Sequence, residues 1–236
     1  MILGFYGPSN SGKTDTIVKL VKYFSERNFK VATVKHISRE FTMDTGGKDT
    51  WKMGTAGANL VVASSNNENN FIVKSQMDFK SIIQLINLFD NFDLIFVEGF
   101  KSIPWIKKIK FGDLETMENT VMKFNNNIDE LIKYIENELK IEKIMKKLPN
   151  FNCGECGFKT CRELAEKILI NEKGFEDCKY FNPDIVMEIE INGKQIYISP
   201  FVQNIIKNTI FGMVSSLKGV NKVNTINIKI KEMDGK

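Results

Sequence analysis

No stretch of the 236 residues approaches the roughly 20 consecutive apolar residues that a bilayer-spanning helix needs. The longest candidates, such as Leu94 to Val97, are the length of a strand, so no membrane role is expected. The chain has one histidine, His36, which rules out a two-histidine metal site within it. It has no cysteine outside the stretch from Cys153 to Cys178. That excludes a chain-wide disulfide framework and gathers any metal or redox chemistry in one place. The opening MILGFYGPSN puts no basic residue ahead of a long apolar stretch, the first lysine being Lys13. No export signal is read, and a cytoplasmic location is expected. Charge of one sign is also scarce. The net charge is +4 and the whole excess lies after residue 142, too little to argue for nucleic acid as a partner.

What is present describes a globular protein. Hydrophobic residues make up 42% and charged residues 26% of the chain, which excludes disorder, collagen-like repeats and a coiled-coil rod and predicts a packed core. Ile2 to Tyr6 reads as a strand that ends in a Gly/Ser turn, and Thr14 to Arg27 follows with apolar residues at helical spacing. Lys30 to Val34 and Leu60 to Ala63 read as strands, and the tract SSNNENN, Ser64 to Asn70, as a surface loop. Phe79 to Phe89 has the pattern of an amphipathic helix, and Asp93 to Val97 that of a strand buried on both faces. Ile106 to Phe111 and Val121 to Phe124 are further strand candidates, with a helix from Ile128 to Leu139. Strands alternating with helices predict an α/β fold with a mostly parallel, three-layer sheet.

After Glu142 a Lys-rich run, Pro149 and the first cysteine arrive together. A boundary is read near 140 to 148, giving a domain over 1–142, a four-cysteine module over 143–183 and a small α+β segment over 184–236. In that last segment Met187, Ile189 and Ile191 alternate with polar residues before Asn192-Gly193, a hairpin-turn pair, and Ile196 to Ile198. Ser199 and Pro200 form a helix start. Apolar residues from Val202 to Leu217 trace one face up to Gly219, and Ile226, Ile228 and Ile230 suggest a final strand.

GPSNSGKT, Gly7 to Thr14, fits the eight-residue P-loop pattern between a strand and a helix. In such a loop the backbone N–H groups of Gly7, Ser9, Asn10, Ser11 and Gly12 face the phosphates, Lys13 offsets their charge, and the Thr14 hydroxyl reaches Mg²⁺. Ligands of open parallel sheets sit at the carboxyl ends of the strands. That rule singles out Lys35-His36 and Glu98-Gly99. Glu98 is placed to hold Mg²⁺ or to position an attacking water, and His36 to touch substrate or phosphate, or to be merely structural. The Gly- and Thr-rich segment from Met43 to Ala58 suggests a loop over the phosphates, with Asp44 and Asp49 candidates to approach Mg²⁺ or simple turn residues. The P-loop domain contains no NKxD-like tetrapeptide, so the base is left open.

Cys153, Cys156, Cys161 and Cys178 follow C-x2-C-x4-C-x16-C, with Gly154 and Gly157 allowing tight turns. Four thiolates suit a [4Fe-4S] cluster or tetrahedral zinc, free thiols being the bland alternative. Zinc sites usually repeat the C-x2-C pair, and the asymmetric spacing here favours the cluster.

GPSNSGKT, the strand-end VKH at 34–36, DTGGKDTWKMGTAGA from Asp44 and LIFVEGFK at 94–101 together resemble the MobB family, molybdopterin-guanine dinucleotide biosynthesis protein B, over about the first 140 residues. The resemblance implies a P-loop protein that binds GTP with Mg²⁺, is usually a homodimer, and is at most a weak GTPase. It would assist a MobA-like molybdopterin guanylyltransferase and, through it, a molybdenum or tungsten apoenzyme. It also implies phosphate and metal roles for Lys13 and Thr14, places Glu98 in the family's VEG motif, and puts Asp44, Lys48 and Asp49 in its GKD segment, where Thr50 stands in place of the frequent Ser. The cysteine block separately resembles the [4Fe-4S] domain of electron-transport and corrinoid-linked proteins. The function expected is a GTP-binding accessory protein of that cofactor's biosynthesis with a redox module. The alternative is a nucleotide-gated electron or metallocluster carrier. ATPases of that kind usually carry a second lysine early in the loop, where this chain has Pro8 to Ser11.

Overall fold

A computed structural model describes residues 1–181, 187, 189–191, 194–196, 198, 200–220, 223 and 225–228. The chain divides into two compact units, Met1–Glu136 and Asn137–Lys236.

The first unit is built on a five-stranded sheet. Its strands are β1 (Ile2–Tyr6), β2 (Val31–Lys35), β5 (Leu94–Glu98), β6 (Lys107–Lys110) and β7 (Thr120–Lys123), in the order β2-β5-β1-β6-β7 with every pair parallel. β1 and β5 are the most apolar strands and occupy the middle, where both faces are covered. Alternation then sends Leu94 and Phe96 to one face and Ile95 and Val97 to the other. On the first face Phe96 packs against Phe5 and against Phe24 of α1 (Lys13–Ser25). On the second, Ile95 and Val97 pack with Phe79 and Ile83 of α3 (Phe79–Phe89). The result is the three-layer α/β arrangement that the pattern predicts. Each such side chain contributes about 2 kcal/mol by leaving water, so the central strands are held far more firmly than the loops at their ends.

Three local features differ from expectation. Leu60–Ser64 (β3) does not join the main sheet; it pairs antiparallel with Asn69–Val73 (β4). The Asn-rich tract therefore ends inside a strand. Ser65 and Glu68 close the turn, the Ser65 N–H donating to the Glu68 carbonyl and the Glu68 N–H to Ser65 Oγ, which frees Asn69 and Asn70 to pair despite their poor strand propensity. The Gly- and Thr-rich segment contains a two-turn helix, α2 (Asp49–Thr55), that buries none of its residues. Finally, α4 (Ile128–Met145) runs six residues beyond the helix expected, through the Lys-rich stretch.

In the second unit α5 (Cys161–Leu169) starts at Thr160, whose hydroxyl accepts the Glu163 N–H. A short 3-10 turn at Phe175–Asp177 precedes Cys178. Ile141, Leu148, Cys161, Leu164, Ala165 and Cys178 form the core of this unit. β8 (Ile189–Ile191) and β9 (Lys194–Ile196) pair antiparallel as the alternation predicts, and α6 (Pro200–Ser215) follows. The Asn192-Gly193 turn, Ser199 and Ile230 lie outside the described residues, and 225–228 are not in a strand. Among the described residues no helix is long and apolar enough to cross a membrane.

Candidate functional site

The sheet order decides what meets at its carboxyl edge. β5 lies between β1 and β2, in register so that Glu98 stands opposite Phe5 on one side and Lys35 on the other. β1 is anchored at its end by Tyr6, whose hydroxyl lies 2.8 Å from Thr120 Oγ1 and accepts the Met117 N–H at 3.0 Å. Past Tyr6 the chain must turn at once. A Cβ on Gly7 would lie 2.5 Å from the Phe111 carbonyl oxygen and 2.7 Å from its Cβ, so only glycine lets the loop leave β1 alongside β6. Gly7→Ala is expected to cost about 1–3 kcal/mol of stability, measured as a lowered denaturation midpoint with an unchanged slope.

The loop closes on Lys13. Its ammonium donates to the carbonyls of Gly7 (3.1 Å) and Pro8 (2.5 Å) and to Ser11 Oγ (3.2 Å). Burial pushes this ammonium below the usual lysine range, Glu98 pulls it back up, and Lys35 adds to the depression. The first N–H groups of α1 open at the same place, with Gly12 as its N-cap, and unpaired N–H groups at a helix start attract anions. Next to Lys13, the Thr14 hydroxyl donates to Glu98 Oε2 at 2.8 Å. Lys35 completes the group, its ammonium 3.3 Å from Glu98 Oε1 and 3.4 Å from Thr14 Oγ1. Hydroxyl and carboxylate oxygens are the hard donors that Mg²⁺ takes, so Thr14 and Glu98 form a donor pair that fits that ion.

His36 is tied to the same edge through its backbone N–H, which donates to the Glu98 carbonyl at 2.8 Å. Its ring lies on Phe100, centroids 4.4 Å apart. Gly99 permits this approach, since a Cβ there would stand 2.9 Å from His36 Cβ. The other candidates lie elsewhere. Asp44 accepts the Thr50 hydroxyl at 2.8 Å while its second oxygen is buried without a partner. Asp49 opens α2 and pairs with Lys52, and Lys48 is that helix's N-cap. Among the described residues no hydrogen bond joins these three to the P-loop. Lys35 is the side chain that sequence reasoning placed at the edge without giving it a role.

The four cysteines line one pocket together with Phe151, Phe158 and Lys179. They are not equivalent: Cys153 is exposed, Cys156 half-buried, and Cys161 and Cys178 buried. Cys161 is the first residue of α5. Asn152 clasps it twice, accepting the Cys161 N–H at 2.8 Å and offering its own N–H to the sulfur at 3.4 Å. Gly154 and Gly157 turn the chain through left-handed backbone between the first three cysteines. Burial raises the Cys178 thiol, the Tyr180 backbone N–H opposes that, and the three other cysteines add to it. Four converging thiolates would repel one another, and a cationic centre relieves this, so the all-sulfur donor set fits an iron-sulfur or zinc centre. Among the described residues no three His, Cys, Asp or Glu are already drawn together as a metal site. A clasp that sequence reasoning missed bounds the pocket: Glu155 accepts from both the Lys179 ammonium and the Tyr180 hydroxyl at 2.5 Å.

Residues 2–137 match the family model described as "Molybdopterin guanine dinucleotide synthesis protein B", more than half of the chain. The chain belongs to the MobB family. Residues 148–180 match a second model, described as "Putative Fe-S cluster". A relative named "Putative molybdopterin-guanine dinucleotide biosynthesis adapter protein" from Methanocaldococcus jannaschii is 31% identical over 97% of each chain, so its match extends through the cysteine module. The Haemophilus influenzae protein named a molybdopterin-guanine dinucleotide biosynthesis adapter is 36% identical over 44% of this chain and 58% of its own. The crystal structure of Bacillus subtilis MobB covers 51% of this chain and 76% of its own, at 23% identity and a TM-score of 0.44. The MobB model thus takes in the P-loop, VKH and VEG motifs, and the cysteines lie beyond it.

Proposed function

We propose that this MobB-family chain is a GTP-binding adapter in molybdopterin-guanine dinucleotide biosynthesis that carries a [4Fe-4S] cluster on Cys153, Cys156, Cys161 and Cys178. The observation that carries the nucleotide half is the meeting of Thr14 and Glu98 beside Lys13 at the ends of β1 and β5. The N–H groups of Gly7 and of Ser9 to Gly12 bind phosphate oxygens, and Lys13, already gathered over the loop, joins them. Thr14 and Glu98 would hold Mg²⁺, which neutralises phosphate charge when bound. His36, on the same edge, borders the phosphates. Asp44, Lys48 and Asp49 belong to the neighbouring loop and reach the nucleotide only if that loop closes. The proposed partners are a molybdopterin guanylyltransferase and a second copy of the chain. The division of labour is a nucleotide domain over 1–142, a cysteine module over 143–183 and a docking segment over 184–236. A bound cluster supplies one-electron redox chemistry, so the module makes redox state an input or an electron an output.

The test is equilibrium binding of GTP and ATP, each with Mg²⁺, to the full chain. GTP is expected to bind at least about tenfold tighter, a difference of about 1.4 kcal/mol. Preference for ATP overturns the reading.

A further inference from the structure

We infer that Lys35 is a built-in counter-ion that holds the metal position closed and is handed to the terminal phosphate when nucleotide enters, so that it sets the preference for a triphosphate over a diphosphate. This rests on the nucleotide reading above and adds a residue to it. Lys35 bridges the same two side chains, Thr14 and Glu98, that supply the Mg²⁺ donors, at 3.4 Å and 3.3 Å. Glu98 is mostly enclosed, its side chain 16% exposed, whereas that of Lys35 is 55% exposed. An enclosed carboxylate needs a cation beside it, and beside Glu98 that cation is Lys35. A divalent ion and an ammonium cannot share so small a space without strong repulsion. The exposed partner is the one free to move, because its flexible stem starts from the last residue of β2.

The direction of that movement follows from the sheet. β2 is the outermost strand on this side and β5 separates it from β1, so Lys35 approaches the site from the side opposite β6. Lys13 approaches from the P-loop itself. Lys13 at the start of α1 and Lys35 at the end of β2 therefore face the phosphates from different sides. Lys13 is gathered over the loop by Gly7, Pro8 and Ser11, where a P-loop lysine reaches the second and third phosphates, and Lys35 adds a contact to the outermost one from the other side. Its ammonium then gains a charge-assisted hydrogen bond that only a triphosphate offers.

The experiment measures dissociation constants of fluorescent GTP and GDP for the wild-type full chain and for Lys35→Met and Lys35→Arg, across a series of Mg²⁺ concentrations. In Lys35→Met the GTP-to-GDP preference is expected to fall about tenfold, the size of one charge-assisted hydrogen bond. The Mg²⁺ concentration for half-maximal binding should fall as well, because the competing cation is gone. Lys35→Arg should keep most of the preference. If the wild type binds GTP but Lys35→Met shifts neither quantity, Lys35 is an ordinary surface ion pair and the inference fails alone. If the wild type binds no guanine nucleotide, the nucleotide reading fails and this inference with it.

Discussion

Lys13→Ala is expected to weaken GTP binding by at least about a hundredfold, roughly 2.7 kcal/mol, while leaving the fold intact. Both halves of that result follow from where the side chain sits. The ammonium is gathered over the loop by Gly7, Pro8 and Ser11, so little ordering remains to be done when phosphate arrives. Burial weakens its hold on the proton and Glu98 strengthens it, and an ammonium beside a phosphate anion gains a charge-assisted hydrogen bond. The same position costs little to vacate. The carbonyls that Lys13 now satisfies belong to a surface loop, where water can replace it. Isothermal titration together with a thermal melt separates the two effects. A melting temperature that fell steeply with the affinity would mean that Lys13 holds the loop's shape and not the phosphate.

The second large effect concerns the cysteines. The chain purified without oxygen should carry about four iron and four acid-labile sulfide, and Cys153→Ala should lose most of both without disturbing the protein around them. The exposure of Cys153 separates the two roles. Cys161 and Cys178 belong to the core of their unit, so replacing either removes a ligand and leaves a cavity at once. Cys161→Ala is expected to cost a further 1–3 kcal/mol or about that, in part because Asn152 loses the sulfur that its N–H faces. The comparison is made by metal and sulfide analysis beside far-ultraviolet circular dichroism. One zinc per chain with no sulfide would make the cysteine block a structural staple.

Much of this could be read from the residues in order. β1, α3 and β5 are visible because apolar runs and helical spacing are local properties, and α3 even begins where Asp78 can cap it, accepting the Ser81 N–H. The P-loop and the four-cysteine spacing are visible for the same reason. β4 was not, because Asn69 and Asn70 look like loop residues until a partner strand supplies their hydrogen bonds. The roles of Asp44 and Asp49 were equally hidden, since a carboxylate near a Gly-rich loop reads alike whether it faces a metal or, as Asp44 does, a neighbouring Thr50 hydroxyl.

By itself, then, the order of residues determined the elements and the chemical inventory: a phosphate loop, strand-end charges and four clustered sulfurs. Only the tertiary structure decided which of these work together. Thr14 and Glu98 are 84 residues apart in the chain, and they meet because β5 inserts between β2 and β1, a pairing that no local pattern encodes. The same insertion brings Lys35 against both, and the packing of α5 buries two cysteines while leaving Cys153 in solvent. Local spacing fixes what a segment is; burial of apolar faces fixes what it stands beside, and the chemistry of this chain lies in the second.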